Sequence, residues 1–515
     1  MRRLLLRAGA ATALLGFAAV AAGVFWLQGQ GVTPRALAPY LERRAAGHND
    51  VITGFAQEAG ATLRRLDRGA DAGPYPLPPL AIGARPEPAG DGAGARKPVH
   101  SVEEAREAFS GALAGDVIVF APGVYRLTRA LEARRPGVEG VPVTVRAERP
   151  GTVVIEVASS EGIKVLGPYW RFENLSIRGA CASPASCEHA FHVTGLAKGF
   201  AAVNNTITDF NAHIKVNGDA HGFPDGGLVE HNTLTNTSAR RTPRPVTPFD
   251  LVAANDWIIR ANLITDFVKA TGDRISYGAF AKGGAARTLF ERNVVLCEHK
   301  LRGLPGERVG LSFGGGGTGK PYCRDKRCIT EHEAGVMRAN LIASCSDAGI
   351  YVNSGATTKI ADNTLLDTAG VQVRFPESGA ELDGNVIDGA VTERNGGRAT
   401  LLDNRSSAIA ALYAGLHAQR GLFADPDTLD LRWKDEAPRR AGPGMPGPDL
   451  CGARRAAQPA YGAFEDFAAC LARLGGRLCR QRVFGKTNRT AGDSSGGDPR
   501  VGGGGPPPPP PPPPP

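Results

Sequence analysis

One short pattern recurs through the middle of this chain: one or two polar residues, an asparagine, two or three apolar or threonine positions, then often Asp, Asn or Thr. It reads FENLSIRG at 172–179, NNTITDFN at 204–211, RANLITDF at 260–267 and DGNVIDGA at 383–390. The repeating asparagines are Asn174, Asn205, Asn232, Asn262, Asn293, Asn340, Asn363 and Asn385, spaced 31, 27, 30, 31, 47, 23 and 22 residues apart. Units of this length, built of short strands and turns, match single coils of a solenoid. A leucine-rich repeat has similar periods but needs a leucine framework that is absent. The fold class expected is all-β: a right-handed parallel β-helix (solenoid) over 101–425. Apolar residues at period two after each asparagine fill its core. The asparagines form a ladder that satisfies turn backbone, so they are structural. The 47-residue gap places an insertion near 300–333.

The flanks read differently. Residues 1–7 hold three arginines, and 8–27 carry no charge, long enough at ~1.5 Å per residue to cross a bilayer. The expectation is an N-terminal transmembrane helix over 1–28, an uncleaved anchor in the bacterial inner membrane with the β-helix in the periplasm. A cleaved signal peptide is the rival reading. Residues 29–70 read as a juxtamembrane helical segment and 71–100 as a Pro/Gly linker. Residues 101–127 read as a helix, turn and strand whose helix caps the open coil end. Residues 426–484 read as a C-terminal capping segment, and 485–515, ending in ten prolines, as a disordered tail. Nine cysteines without a CxxC pair favour disulfides over zinc, with one cysteine left over. Net charge is +9, a mild excess that suits an acidic polymer and gives no reason to expect nucleic acid. No nucleophile elbow, HExxH motif, P-loop or dinucleotide fingerprint is present.

AGDVIVFAPGVY (114–125) together with the asparagine repeats resembles the chondroitinase-B and alginate lyase family of right-handed parallel β-helices. The stretch 257–298 with GLSFGGGGTG (310–319) resembles a membrane-anchored bacterial subgroup of such proteins. The resemblance implies a polysaccharide lyase: a lysine takes the C5 proton of a uronic acid, an arginine protonates the leaving oxygen, and calcium neutralises the carboxylate. By position the family lysine is Lys282. Ser312, Phe313 and Gly314 stand where the arginine is expected, with Arg308 and Arg302 nearby. Ile275 and Tyr277 stand where two calcium carboxylates are expected, so the calcium ligands are not matched and the metal is left open.

Counting eleven residues back from the rung asparagines gives one expected column of His221, Leu251, Lys282, Val352 and Arg374. One wall would then carry the catalytic candidates Lys282 (base), Arg308 (acid) and His221. The substrate-binding candidates are Asp250, Tyr277, Arg302 and His299. The partner expected is an acidic, uronic-acid-containing polysaccharide cleaved by β-elimination. The second reading is a non-catalytic carbohydrate-binding or cell-envelope protein on the same scaffold.

Overall fold

In the computed structural model, residues 16, 18, 21–68, 76–89, 94–315 and 317–471 are described. The tail expected over 485–515, and most of the expected anchor, lie outside them. Among the described residues no helix is long and apolar enough to cross a membrane.

Three parallel sheets, of twelve, eleven and ten strands among the described residues, wrap around one core. A single coil shows the path. Ala201–Val203 lies in the twelve-stranded sheet, Thr206–Thr208 in the eleven-stranded sheet and Ala212–Asn217 in the ten-stranded sheet. Leu228–Glu230 then pairs in register beneath Ala201–Val203. Each coil is thus a crossover between parallel strands of one sheet, a connection that is right-handed in nearly all proteins. The expected β-helix is present. Its interior is a set of apolar columns. In the ten-stranded sheet one column runs Phe191, Ile214, Phe249, Ala279, Leu311, Ile350, Val371, all buried.

The corner between the twelve- and eleven-stranded sheets explains the asparagines. The residue before each rung is left-handed: φ is 59° at Asn204, 54° at His231 and Ala261, 56° at Arg292 and 52° at Ala339. That conformation is unfavourable for a residue with a Cβ. The following asparagine offsets it by binding the next coil. Asn205 N and Nδ2 both donate to Asn232 Oδ1 at 3.0 Å, and Asn232 N and Nδ2 donate to Asn262 Oδ1 at 2.8 and 3.1 Å. The same contacts continue through Asn293, Asn340, Asn363 and Asn385 to Asn404. Asn174 is a correction. It sits one position earlier, where its Oδ1 accepts from Asn204 Nδ2 at 2.9 Å, and Leu175 N donates to Asn205 Oδ1 instead. The long gap is filled by two loops, 297–306 and 314–331, at different corners of one coil.

The N-terminal end is closed by helix Val102–Ser110. Ser101 Oγ accepts from Glu104 N and Glu104 Oε2 accepts from His100 N, a reciprocal cap. Phe109 packs on Trp170 with ring centroids 5.1 Å apart.

Two flanking segments depart from expectation. Residues 76–89, read as free linker, are a strap along the coil stack. Ala81 N donates to Cys470 O, Gly83 N to Ala261 O, Ala84 N to Thr233 Oγ1, Arg85 N to Asn204 Oδ1 and Ala89 N to Asn174 Oδ1. Side chains on the outer turn supply hydrogen bonds that composition alone does not reveal. The C-terminal segment lies along the outer side of the eleven-stranded sheet: Leu450, Ala463, Phe464 and Phe467 bury Val294, Leu296, Leu341 and Leu366. Helices Pro34–Ala45 and Asp50–Arg68 form a hairpin seated on the late coils. Arg35 there is buried on Asp67, Asp367 and the carbonyl of Cys345. Four disulfides join Cys181–Cys187, Cys297–Cys345, Cys323–Cys328 and Cys451–Cys470. The ninth cysteine, Cys479, lies outside the described residues.

Candidate functional site

The strap and C-terminal segment cover much of the eleven-stranded sheet, whereas the outer side of the ten-stranded sheet carries a polar cluster. Outward positions here are fixed by register. One outward column runs Lys164, His192, Lys215, Asp250, Phe280, Ser312, Tyr351, Gln372. A second, two residues along, runs Thr194, Asn217, Val252, Lys282. The strands bend before the first column, at a row that includes Gly162, Gly278 and Gly310. A Cβ at Gly278 would stand 2.8 Å from Gly310 O, and one at Gly310 2.4 Å from Gly349 O. Small residues at the bend therefore let successive coils stack and turn the preceding side chain, such as Tyr277, outward.

Lys282 lies at the centre of this face. Its Nζ sits 4.3 Å from the centroid of the Phe280 ring. Its stem runs under the glycine loop; a Cβ at Gly315 would lie 3.3 Å from Lys282 Cδ, a tight approach that a small shift of the lysine would relieve. Burial pushes the Lys282 ammonium below its ordinary pKa and the charge of Lys215 adds to this, against the pull of Asp250 and Glu331. No side-chain hydrogen bond or ion pair holds Lys282 among the described residues, and the residue is half-buried.

The groups around it are mutually fixed. Lys215 Nζ donates to Asp250 Oδ1 at 2.7 Å, with Asp250 only 4% exposed. His192 is held between Glu161 Oε1 at 2.7 Å and Asn217 Oδ1 at 2.8 Å. That contact holds Glu161 below its ordinary pKa. Burial, together with His192 and Lys215, pushes His189 down to about 4. Tyr277 packs edge-on to Phe280, centroids 5.5 Å apart, and burial raises its hydroxyl's pKa. Glu331 Oε2 accepts from Gly283 N and Thr318 Oγ1, both at 2.8 Å, tying the glycine loop to the strand end.

Of the residues expected from sequence, Lys282, Asp250 and Tyr277 share this face. Arg308 does not. It is 2% exposed, its Nε donates to Glu298 Oε1 at 2.9 Å and its other nitrogens to Pro305 O and Leu304 O. These contacts consume the guanidinium, and the position precedes the outward bend, so it is corrected from acid to a buried structural group. Arg302 and His299 belong to the same corner, where Arg302 pairs with Asp367 and His299 N donates to Asp266 Oδ1. His221 lies in an exposed turn beyond the strand end; its backbone N donates to Asp219 Oδ1. Leu251 and Val352, expected in the same column as Lys282, point inward. Lys215, His192, Glu161 and Phe280 were missed. Aligning the inward apolar pairs 214/216, 249/251 and 279/281 would have found them.

The calcium expectation meets this donor set poorly. Ile275 and Tyr277 offer no carboxylate, Asp250 is taken by Lys215, and Glu331 is engaged with the glycine loop. The one group of three such ligand types among the described residues is Cys323, Cys328 and Glu331, and its sulfurs are joined to each other. These residues do not fit a resident calcium ion.

A family model described as Chondroitinase B matches residues 99–247. Over that stretch the chain is chondroitinase-B-like. The match covers the capping helix and the early coils and ends before Asp250 and Lys282. Comparison with curated proteins gives no match. Solved structures similar to this chain include a pectate lyase, 14% identical, covering 70% of this chain and 90% of that one at a TM-score of 0.41. An alginate lyase from Paenibacillus sp. is 15% identical, covering 60% and 95%, at 0.31. A PL6 family polysaccharide lyase from Pseudopedobacter saltans is 12% identical, covering 66% and 96%, at 0.33.

Proposed function

We propose that this β-helix cleaves an acidic, uronate-containing polysaccharide by β-elimination, with Lys282 as the base. The observation that carries the reading is an amine on a polar face that makes no side-chain hydrogen bond or ion pair among the described residues, its pKa lowered by burial. Such an amine holds less tightly to its own proton and is better suited to accept one near neutral pH. In the step, Lys282 Nζ takes the proton on the carbon next to the sugar carboxylate. The electron pair left behind forms the C4–C5 double bond, the C4–O bond breaks, and the leaving oxygen takes a proton. We assign that proton to Tyr277, which flanks the same Phe280 ring as Lys282. The family match over the early coils supports the class of substrate. Four disulfides suit an oxidising compartment such as the periplasm, with residues 1–28 as the anchor.

The test is incubation with alginate, pectate and chondroitin while following the ultraviolet absorbance of the unsaturated uronate. Lys282→Met is expected to abolish the signal with thermal unfolding unchanged. An unaffected rate would remove the base assignment. Binding without product, in the parent chain, would select the non-catalytic carbohydrate-binding reading.

A further inference from the structure

Elimination next to a carboxylate is slow until the carboxylate's charge is neutralised, because proton removal builds more negative charge beside it. A bound divalent cation is one solution, but the donor set on this face does not fit one. A fixed cation is present instead. Lys215 is held on Asp250 at 2.7 Å, its side chain keeps 21% of its surface exposed, and it lies close enough to act on Lys282. Asp250 is one coil from Phe280 in the same outward column, and coils are spaced ~4.8 Å apart. Asp250 is nearly buried, so it orients the ammonium without presenting a carboxylate of its own to an anion.

We propose that Lys215, seated on Asp250, is the group that neutralises the substrate carboxylate here, and that the site engages a uronate without a divalent cation. The inference rests on the uronate reading above, but its readout is affinity and not product. A sugar bridging Lys215 and Lys282 would place its carboxylate on the first and its acidic C–H on the second.

The experiment is calorimetric titration of the full chain with soluble oligouronates from pectate, alginate and dermatan, and with a neutral cello-oligomer. Each titration is run in EDTA and again with added calcium. The inference expects acidic-oligomer affinity to be unchanged by EDTA, to fall at least tenfold in Lys215→Met, and to recover in part in Lys215→Arg. If the single variant does not fold, the double variant Lys215→Met/Asp250→Leu removes both charges and keeps the packing. Affinity that appears only with calcium, or that survives loss of Lys215, would overturn the inference, as would failure of every acidic oligomer to bind. Calcium-independent, Lys215-dependent binding without unsaturated product would sink elimination and leave this inference standing.

Discussion

Replacing Asn262 by alanine removes one rung from the middle of the asparagine ladder. The side chain is fully buried and makes four hydrogen bonds. Its Oδ1 accepts from Asn232 N at 2.8 Å and Asn232 Nδ2 at 3.1 Å; its Nδ2 donates to Val229 O at 2.9 Å and Asn293 Oδ1 at 3.0 Å. Not all of these losses are equal. Asn232 Nδ2 keeps Ala202 O as an acceptor, and Asn293 Oδ1 still accepts from Asn262 N. Asn232 N–H is left with no acceptor in a buried corner. One orphaned donor costs about 1–3 kcal/mol, and each other lost bond about 1 kcal/mol or less where a partner remains. The sum is about 3–5 kcal/mol, a large share of a typical folding free energy. Asn404→Ala is the internal control. It ends the ladder, is more exposed, and its loss removes only the contacts to Asn385 and Leu382 O, which water can replace. Urea unfolding followed by circular dichroism is expected to show a midpoint drop several times larger for Asn262→Ala. Equal small drops would refute the view that the ladder holds the corners.

The remaining predictions concern the site, pH and the helical hairpin. Lys282→Met should erase unsaturated-uronate formation at constant melting temperature, and Lys215→Met should weaken acidic oligomers tenfold or more in EDTA. His189 and His213 are pushed down to about 4, chiefly by burial, so both resist charging in the fold. Stability from them is complete above about pH 6.5 and is lost as pH falls toward 4, on the order of 3 kcal/mol for each; a melting-temperature profile that is flat from pH 7 to pH 4 would contradict this. Asp347, raised to about 6 mainly by burial, works in the opposite direction and loses its contribution as pH rises through 6. Burial raises Asp367, but Arg68, Arg35, Arg420 and Arg302 outweigh it and hold it at about 2. Asp367→Asn should therefore destabilise the seat of the hairpin by about 3–5 kcal/mol and expose residues 34–68 to limited proteolysis.

The coil stack was legible because each coil repeats one strained corner with one residue type that can relieve it. The wall of the site was less legible for a geometric reason. The distance from the strand position matching Lys282 to its next rung is eleven residues at Lys282 and Arg374. It is ten at Val252 and Asn353, and fifteen at Asn217. A one-residue miscount turns a side chain to the opposite side of a strand, which is why Leu251 and Val352 were placed outward. Arg308 failed differently. It lies in the next coil but pairs with Ser276, six positions before Lys282, and the buried carboxylate of Glu298 holds it at another corner. Free polar surface and buried ion pair look the same in a sequence.

The strap has a consequence for assembly. The helical hairpin, which precedes every coil in the chain, finds its seat only on coils made late, and residues 76–89 then run back toward the opposite end before the first strand begins. Synthesis order and spatial order are therefore reversed for the opening segment. Residues 34–68 must wait undocked while the winding proceeds, and their docking reports that the last coils are in place. Removal of residues 34–68 would accordingly injure the late coils, where Asp367 would lose Arg35 and Arg68 and keep Arg302 and Arg420, and Glu298 would lose Arg68 and keep Arg308.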